Sequence, residues 1–169
     1  MEIFVEDGTG LVTANAYASL AEVDNLLSVN IHSKWSLLDD QTAKENLIMW
    51  ATRLLDQRVR WYGHKTHATS GLAWPRTGVR DKDRHCVEDD IVPKQVKLAT
   101  AILAEHLLAG NPEAVNSGSN ITALQVDVIA LKFDTNKTPD KYPVELRYIL
   151  DGLGFMSFGR GGPKRIILY

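Results

Sequence analysis

The residues with evident chemical capacity concentrate between positions 53 and 90. His64-x-x-His67 and His85-Cys86 offer imidazole and thiol groups, the ligand types of zinc. Their spacing argues against a metal site: no second paired ligand set exists, and adjacent residues of an extended segment point to opposite sides. The pattern reads instead as polar loop residues beside a half-buried Cys86. Asp81-Lys82-Asp83 and Glu88-Asp89-Asp90 gather carboxylates. They lack the alternating ligands, glycine and distal Glu of a calcium loop, so they read as a solvated turn and an acidic cluster before a helix. Gly159-Arg160-Gly161-Gly162 is glycine-rich, but no GxxxxGK[ST] follows a strand and opens a helix, so no phosphate cradle is expected. Cys86 as a nucleophile needs a positioned base, and its chain neighbour His85 is poorly placed for that. No acid, base and nucleophile assemble. The expectation is a non-enzyme with no catalytic residue, no metal and no cofactor.

A second chemistry is recognition. Arg53, Arg58, Arg60, Trp61, Tyr62, His64, Lys65, His67, Trp74, Arg76, Arg80, Lys82 and Arg84 interleave cations with aromatic rings. Single-stranded nucleic acid is held by such mixtures, cations following the backbone while rings stack on bases. Arg58, Arg60, Lys65, Arg76, Arg80, Lys82 and Arg84 are therefore the candidate DNA-facing residues. Trp61 continues a helical stripe through Trp50 and Leu54, and Trp74 sits between Ala73 and Pro75, so both rings read as core. The same cations suit a phosphate-facing surface without base contact, or acidic segments of a neighbouring copy.

The C-terminal stretch is a third candidate. Phe155, Phe158, Arg160, Lys164, Arg165, Ile166, Ile167, Leu168 and Tyr169 form a glycine-hinged arm ending in a basic, β-prone, apolar segment. Apolar residues at a free end invite aggregation unless paired. Two pairings are open: with residues 121–133 in the same chain, or with a neighbouring subunit or partner by strand addition or groove insertion.

These residues need a scaffold. Ile3-Phe4-Val5 before Glu6-Asp7-Gly8-Thr9-Gly10 predicts a short strand and turn. Ser19-Leu20-Ala21-Glu22 is a capping box opening a helix to about Val29. A longer helix is predicted from Asp39 or Asp40 to about Trp61, its stripe being Ala43, Leu47, Trp50, Ala51, Leu54 and Leu55. Short extended pieces follow at 72–74, and at 79–80 against 85–87. Pro93 begins a third helix to about Ala109, closed by Gly110 and burying Val96, Ala99, Ile102, Leu103, Ala104 and Leu107. Residues 121–133 read as a strand or bent pair, and 143–150 as a short helix closed by Gly152 and Gly154. From Phe155 no regular structure is expected before the terminal segment. The fold class is mainly α: a small helical bundle with short β-strands or a hairpin, divided into a body, 1–154, and an arm, 155–169.

With 169 residues, 44% hydrophobic and 24% charged, the chain suits one domain with a real core. One cysteine excludes an internal disulfide, and no apolar run nears the ~20 residues that span a bilayer. The acidic first residues lack the basic region of a signal peptide. A protein of a reducing compartment, away from membranes, is expected. The formal charge of −2 argues against a generic nucleic-acid coat. Yet residues 1–52 carry −6, residues 53–85 carry +5, residues 86–153 carry −4 and residues 154–169 carry +3. Two basic segments sit on an acidic body, an arrangement that also suits copies meeting one another.

Several segments together resemble one family. They are Phe4-Val5-Glu6-Asp7-Gly8-Thr9-Gly10 with Ala14-Asn15-Ala16-Tyr17-Ala18-Ser19, Leu72-Ala73-Trp74-Pro75-Arg76-Thr77-Gly78-Val79, and Ile91-Val92-Pro93 with Val96-Lys97 and Ala99-Thr100. They resemble small tailed-phage proteins labelled DnaT-like single-stranded-DNA-binding proteins, and are similar to head–tail connector (neck adaptor, head-completion) proteins. The resemblance implies a virion protein of the phage neck, made in the host cytoplasm. It implies a ring, commonly of twelve copies, binding the portal protein and a tail-proximal neck (stopper or tail) protein, and passing DNA non-specifically through its channel. It places the portal-binding arm on Phe155–Tyr169. The alternative it carries is a single-stranded-DNA-binding accessory protein. Residues 134–145 are more charged and richer in Asn and Lys than that family suggests.

Overall fold

The computed structural model describes residues 2–113, 123–126, 129–132 and 141–156. Their elements are α1 (Leu20–Ser28), a short 3-10 turn (Trp35–Leu37), α2 (Gln41–Arg58), β1 (Val59–Trp61), β2 (His64–Lys65), β3 (Arg76–Thr77), α3 (Lys94–Leu107), β4 (Ala123–Val126), β5 (Ile129–Lys132), α4 (Glu145–Ile149) and β6 (Gly154–Met156). Helices outweigh the short antiparallel strands among the described residues, so the expectation of a mainly helical chain holds only in outline.

The helix starts follow from their caps. Ser19 accepts a hydrogen bond from the Glu22 amide while the Glu22 carboxylate accepts from the Ser19 amide at 2.8 Å, the reciprocal box predicted. Glu22 also takes the Lys97 ammonium at 2.6 Å, joining the start of α1 to α3. Asp40 caps α2 by accepting from the Thr42 and Ala43 amides. Pro93, expected inside the first turn of α3, stands one position earlier, at its N-cap.

Val23 and Leu27 of α1, Ile48, Ala51, Leu54 and Leu55 of α2, and Ala99, Leu103, Ala104 and Leu107 of α3 close into one apolar core with Leu146 and Leu150. The buried stripe of α2 centres on Ile48, Ala51 and Leu55, while Leu47 and Trp50 stay half-buried. A second core gathers Tyr17, Leu72, Trp74, Val79, Val92, Val96 and Leu153 under the long connection between α2 and α3. Trp61 packs against both.

Two expectations are corrected here. Helix α2 stops at Arg58 instead of Trp61: β-branched Val59 is extended (φ −92°, ψ 127°) and opens β1. The chain from Phe155 is not without regular structure, because Phe155 and Met156 belong to β6. That strand pairs antiparallel with β1 in the register Val59↔Met156, Arg60↔Phe155 and Trp61↔Gly154. The expected boundary at 154/155 thus falls inside a strand. The bent pair at 121–133 corresponds to the β4–β5 hairpin, and Arg80 bridges Cys86 as expected. The β2–β3 ribbon had no sequence signal.

Candidate nucleic-acid interface

The segment between β1 and α3 has no helical period, and polar side chains that grip backbone groups shape it. Asp56, in the last turn of α2, accepts from the Tyr17 hydroxyl at 2.5 Å, the Trp61 indole at 3.2 Å and the Ala73 amide at 2.9 Å. The Tyr17 oxygen in turn accepts from the Ala73 and Trp74 amides. Burial pushes the Asp56 carboxyl above the usual carboxylate range, only partly offset by those donors. Burial and the Asp56 charge together raise Tyr17 well above an ordinary phenol.

Trp74 is fully buried and meets Trp61 edge to face at 5.7 Å. Trp74-Pro75 is a cis peptide. Arg76 then donates Nε to the Tyr62 carbonyl at 2.6 Å, Nη1 to Ala73 at 3.0 Å and Nη2 to Gly63 at 2.8 Å. The Leu72–Arg76 stretch is therefore a fastener. Its tryptophan fills the core, as expected, and its arginine stitches three carbonyls.

Of the DNA-facing candidates, Arg76 is half-buried, with three of its five N–H donors given to backbone carbonyls. Arg58 is engaged as well. It pairs with Glu113, which also accepts from the Tyr142 hydroxyl at 2.6 Å. Burial and the Glu113 bond push Tyr142 up to about 12. Lys65 is exposed but ties its ammonium to the Ser70 carbonyl at 3.0 Å.

Arg60, Arg80, Lys82 and Arg84 remain exposed and make no ion pair among the described residues. Three of them ride one hairpin. Asp81 accepts from the Asp83 amide at 2.9 Å and the His85 amide at 2.8 Å, folding the turn tightly. Arg84 sits at φ 68° and its carbonyl accepts from Arg80. The hairpin rests on Gly152, two residues before β6. A Cβ there would lie 2.4 Å from the Lys82 nitrogen, so only glycine allows this approach. Gly63 likewise lies against Thr77 and Val79. Residues 60–63, 76–84 and 152–155 are thereby in contact, β1 through its pairing with β6 and the hairpin through Gly152.

His64, His67 and His85 are all exposed, and among the described residues no three His, Cys, Asp or Glu side chains converge as a metal site. Cys86, expected to be half-buried, is exposed: it lies opposite Arg80 on the outer hairpin instead of under it. Arm candidates Phe158, Arg160, Lys164, Arg165, Ile166, Ile167, Leu168 and Tyr169 lie outside the described residues. Phe155 is the exception, exposed on β6. No helix among the described residues is long and apolar enough to cross a membrane.

Residues 1–166 match the sequence model of a family described as "Putative DnaT-like ssDNA binding protein". The chain belongs to this family. Several residues of the segments by which it resembled these proteins lie in the second core: Tyr17, Leu72 and Trp74 of the fastener, Val79, and Val92 and Val96 at the start of α3. No curated protein and no solved structure matches the chain.

Proposed function

We propose that this DnaT-like family member binds single-stranded DNA, without catalysis, on the surface formed by β1, the Arg80–Cys86 hairpin and the turn before β6. The observation that carries the reading is the group Arg60, Arg80, Lys82 and Arg84, exposed and without an ion-pair partner among the described residues, on segments that touch one another. Carboxylates predominate elsewhere along the chain, and β6 leads directly in sequence to Arg160, Lys164 and Arg165. The family description supports the same ligand. Binding of this kind is salt-dependent, because each neutralised phosphate releases counterions.

Titrating a fluorescein-labelled oligothymidine at several salt concentrations tests it. Four engaged phosphates give a slope of log affinity against log salt of about −3, and charge reversal at Lys82 and Arg84 flattens it. Absence of binding at low salt overturns the reading.

A second reading is favoured by a separate observation. Val29, Ile31 and Leu37, in and around the connection from α1 to α2, are 83%, 89% and 78% exposed. Such a cluster suits a protein neighbour. In this reading the chain is a neck adaptor that forms a ring of about twelve copies in the phage virion. It sits between the portal protein and a tail-proximal neck protein, with the arm from Phe155 onward reaching the portal. The alternating charge of the sequence suits contacts between copies, and DNA passes through the channel. Electron microscopy of purified virions decides it: density for the chain at the neck supports the adaptor, and its absence from the particle removes it.

A further inference from the structure

Resting on the single-stranded-DNA reading, we infer that the outer face of the β1–β6 ribbon is a base-stacking platform built from Tyr62, Phe155 and Arg60. Arg60 and Phe155 are register partners across the two strands, and both are exposed. Directly opposed residues share one face of a sheet. Tyr62 stands two positions beyond Arg60, which returns it to that face, and its amide extends the ladder by donating to the Leu153 carbonyl at 3.0 Å. Tyr62 and Phe155 are each 51% exposed, whereas their strand neighbours Val59 and Met156 are buried. The alternation is clean: apolar side chains inward, one cation and two rings outward.

Three further features fit bases better than a protein partner. The two rings make no ring contact with each other among the described residues, and each is half-exposed. They are diagonal neighbours across the ribbon, a spacing of about 7–8 Å between residues, wide enough for separate bases. Arg60 between them has no carboxylate partner among the described residues and can follow the phosphate backbone. The platform is also rigid where it matters. Arg76 holds the carbonyls of Tyr62 and Gly63 from beneath, which makes it a positioning residue. Buried Trp74 and half-buried Trp61, packed on the cores, are thus not the stacking groups; the rings outside the core are.

The test is anisotropy of labelled oligothymidine with the full chain and with Tyr62→Ala, Phe155→Ala and the double variant, alongside Tyr62→Phe and Phe155→Tyr. Each alanine variant is expected to lower affinity about fivefold to a hundredfold with an unchanged salt slope, while the aromatic exchanges retain binding. Arg60→Ala is expected to reduce the slope by about one phosphate equivalent. If the parent chain binds and the double alanine variant, with an unchanged melting temperature, binds equally, the platform is wrong while the DNA reading stands. If the parent chain does not bind at all, both fall.

Discussion

The two halves of this molecule are held by different physics. Around α1–α4 the core is apolar and periodic, with Ile48, Ala51, Leu55, Leu103 and Leu107 meeting at helical spacing. Around Trp74 the chain has no period, and backbone groups with no ladder partner are taken by side chains: Asp56 and Tyr17 accept from the Ala73 amide, and Arg76 donates to three carbonyls. A buried backbone group must find a partner, so an irregular segment folds compactly only when polar side chains stand in for the missing ladder. The helical half tolerates exchange of one apolar residue for another of similar volume. The loop half depends on particular donor and acceptor geometry.

That contrast can be broken most forcefully at its two centres. Trp74→Ala is expected to cost about 4 kcal/mol and Leu103→Ala about 3 kcal/mol in denaturant unfolding, each by lost burial and a residual cavity. If the halves differ as described, Leu103→Met is nearly neutral, whereas Trp74→Phe still lowers stability measurably. Next in size, Asp56→Ala leaves the Tyr17 hydroxyl and the Trp61 indole without their acceptor and the Ala73 amide with the Tyr17 oxygen alone, for a loss of about 3 kcal/mol. Asp56→Asn recovers only part, because one amide nitrogen would face a donor. Arg76→Ala is expected to cost about 2 kcal/mol. Hydrogen exchange should quicken at 62–77 while the α2 and α3 amides keep their protection; uniform loss across both halves would erase the distinction. Ser19→Ala, removing one side of the capping box, is worth about 1 kcal/mol.

The smallest effect is a pH dependence on the helical side. Burial raises the Glu22 carboxyl, but the hydrogen bond from Lys97, those from Ser19 and the Lys97 charge outweigh it, so the group lies below the ordinary 4.5. Its contribution is therefore complete above pH 4.5 and is lost as the pH falls through the lower folded value. Thermal melting of Glu22→Gln between pH 5 and pH 3 should fall less steeply than that of the parent chain.

The difference between the halves also explains what the sequence disclosed. Ser19 and Glu22, three apart, state their helix start without help from the fold, and so does Asp40; apolar spacing then places α1 and α3 closely. Val59–Trp61 misled because a strand of three residues has no period of its own and continued the helical stripe. Only its partner Gly154–Met156, nearly a hundred residues on, makes it a strand. For the same reason β6 was invisible in a glycine-rich stretch. The basic cluster was legible as composition, but which cations remain unpaired was not. Arg58 and Arg76 look like Arg60 and Arg84 until Glu113 and the carbonyls of Tyr62, Gly63 and Ala73 arrive in space. Tyr62 was noted among the mixed residues and Phe155 only as part of the arm. Their adjacency follows from a strand pairing that spacing along the chain does not encode.

The β1–β6 ribbon also has a mechanical sense. Val59 and Met156 face one another at the same end. There the chain leaves one strand directly into α2 and the other toward residue 157. Traction on the C-terminal residues against the helical body would therefore open the ribbon like a zipper, pair by pair, and not load its hydrogen bonds together in shear. Met156 would part first and Gly154 last, so a tug on the C-terminus would be absorbed as gradual peeling before it reached the core beneath Trp61.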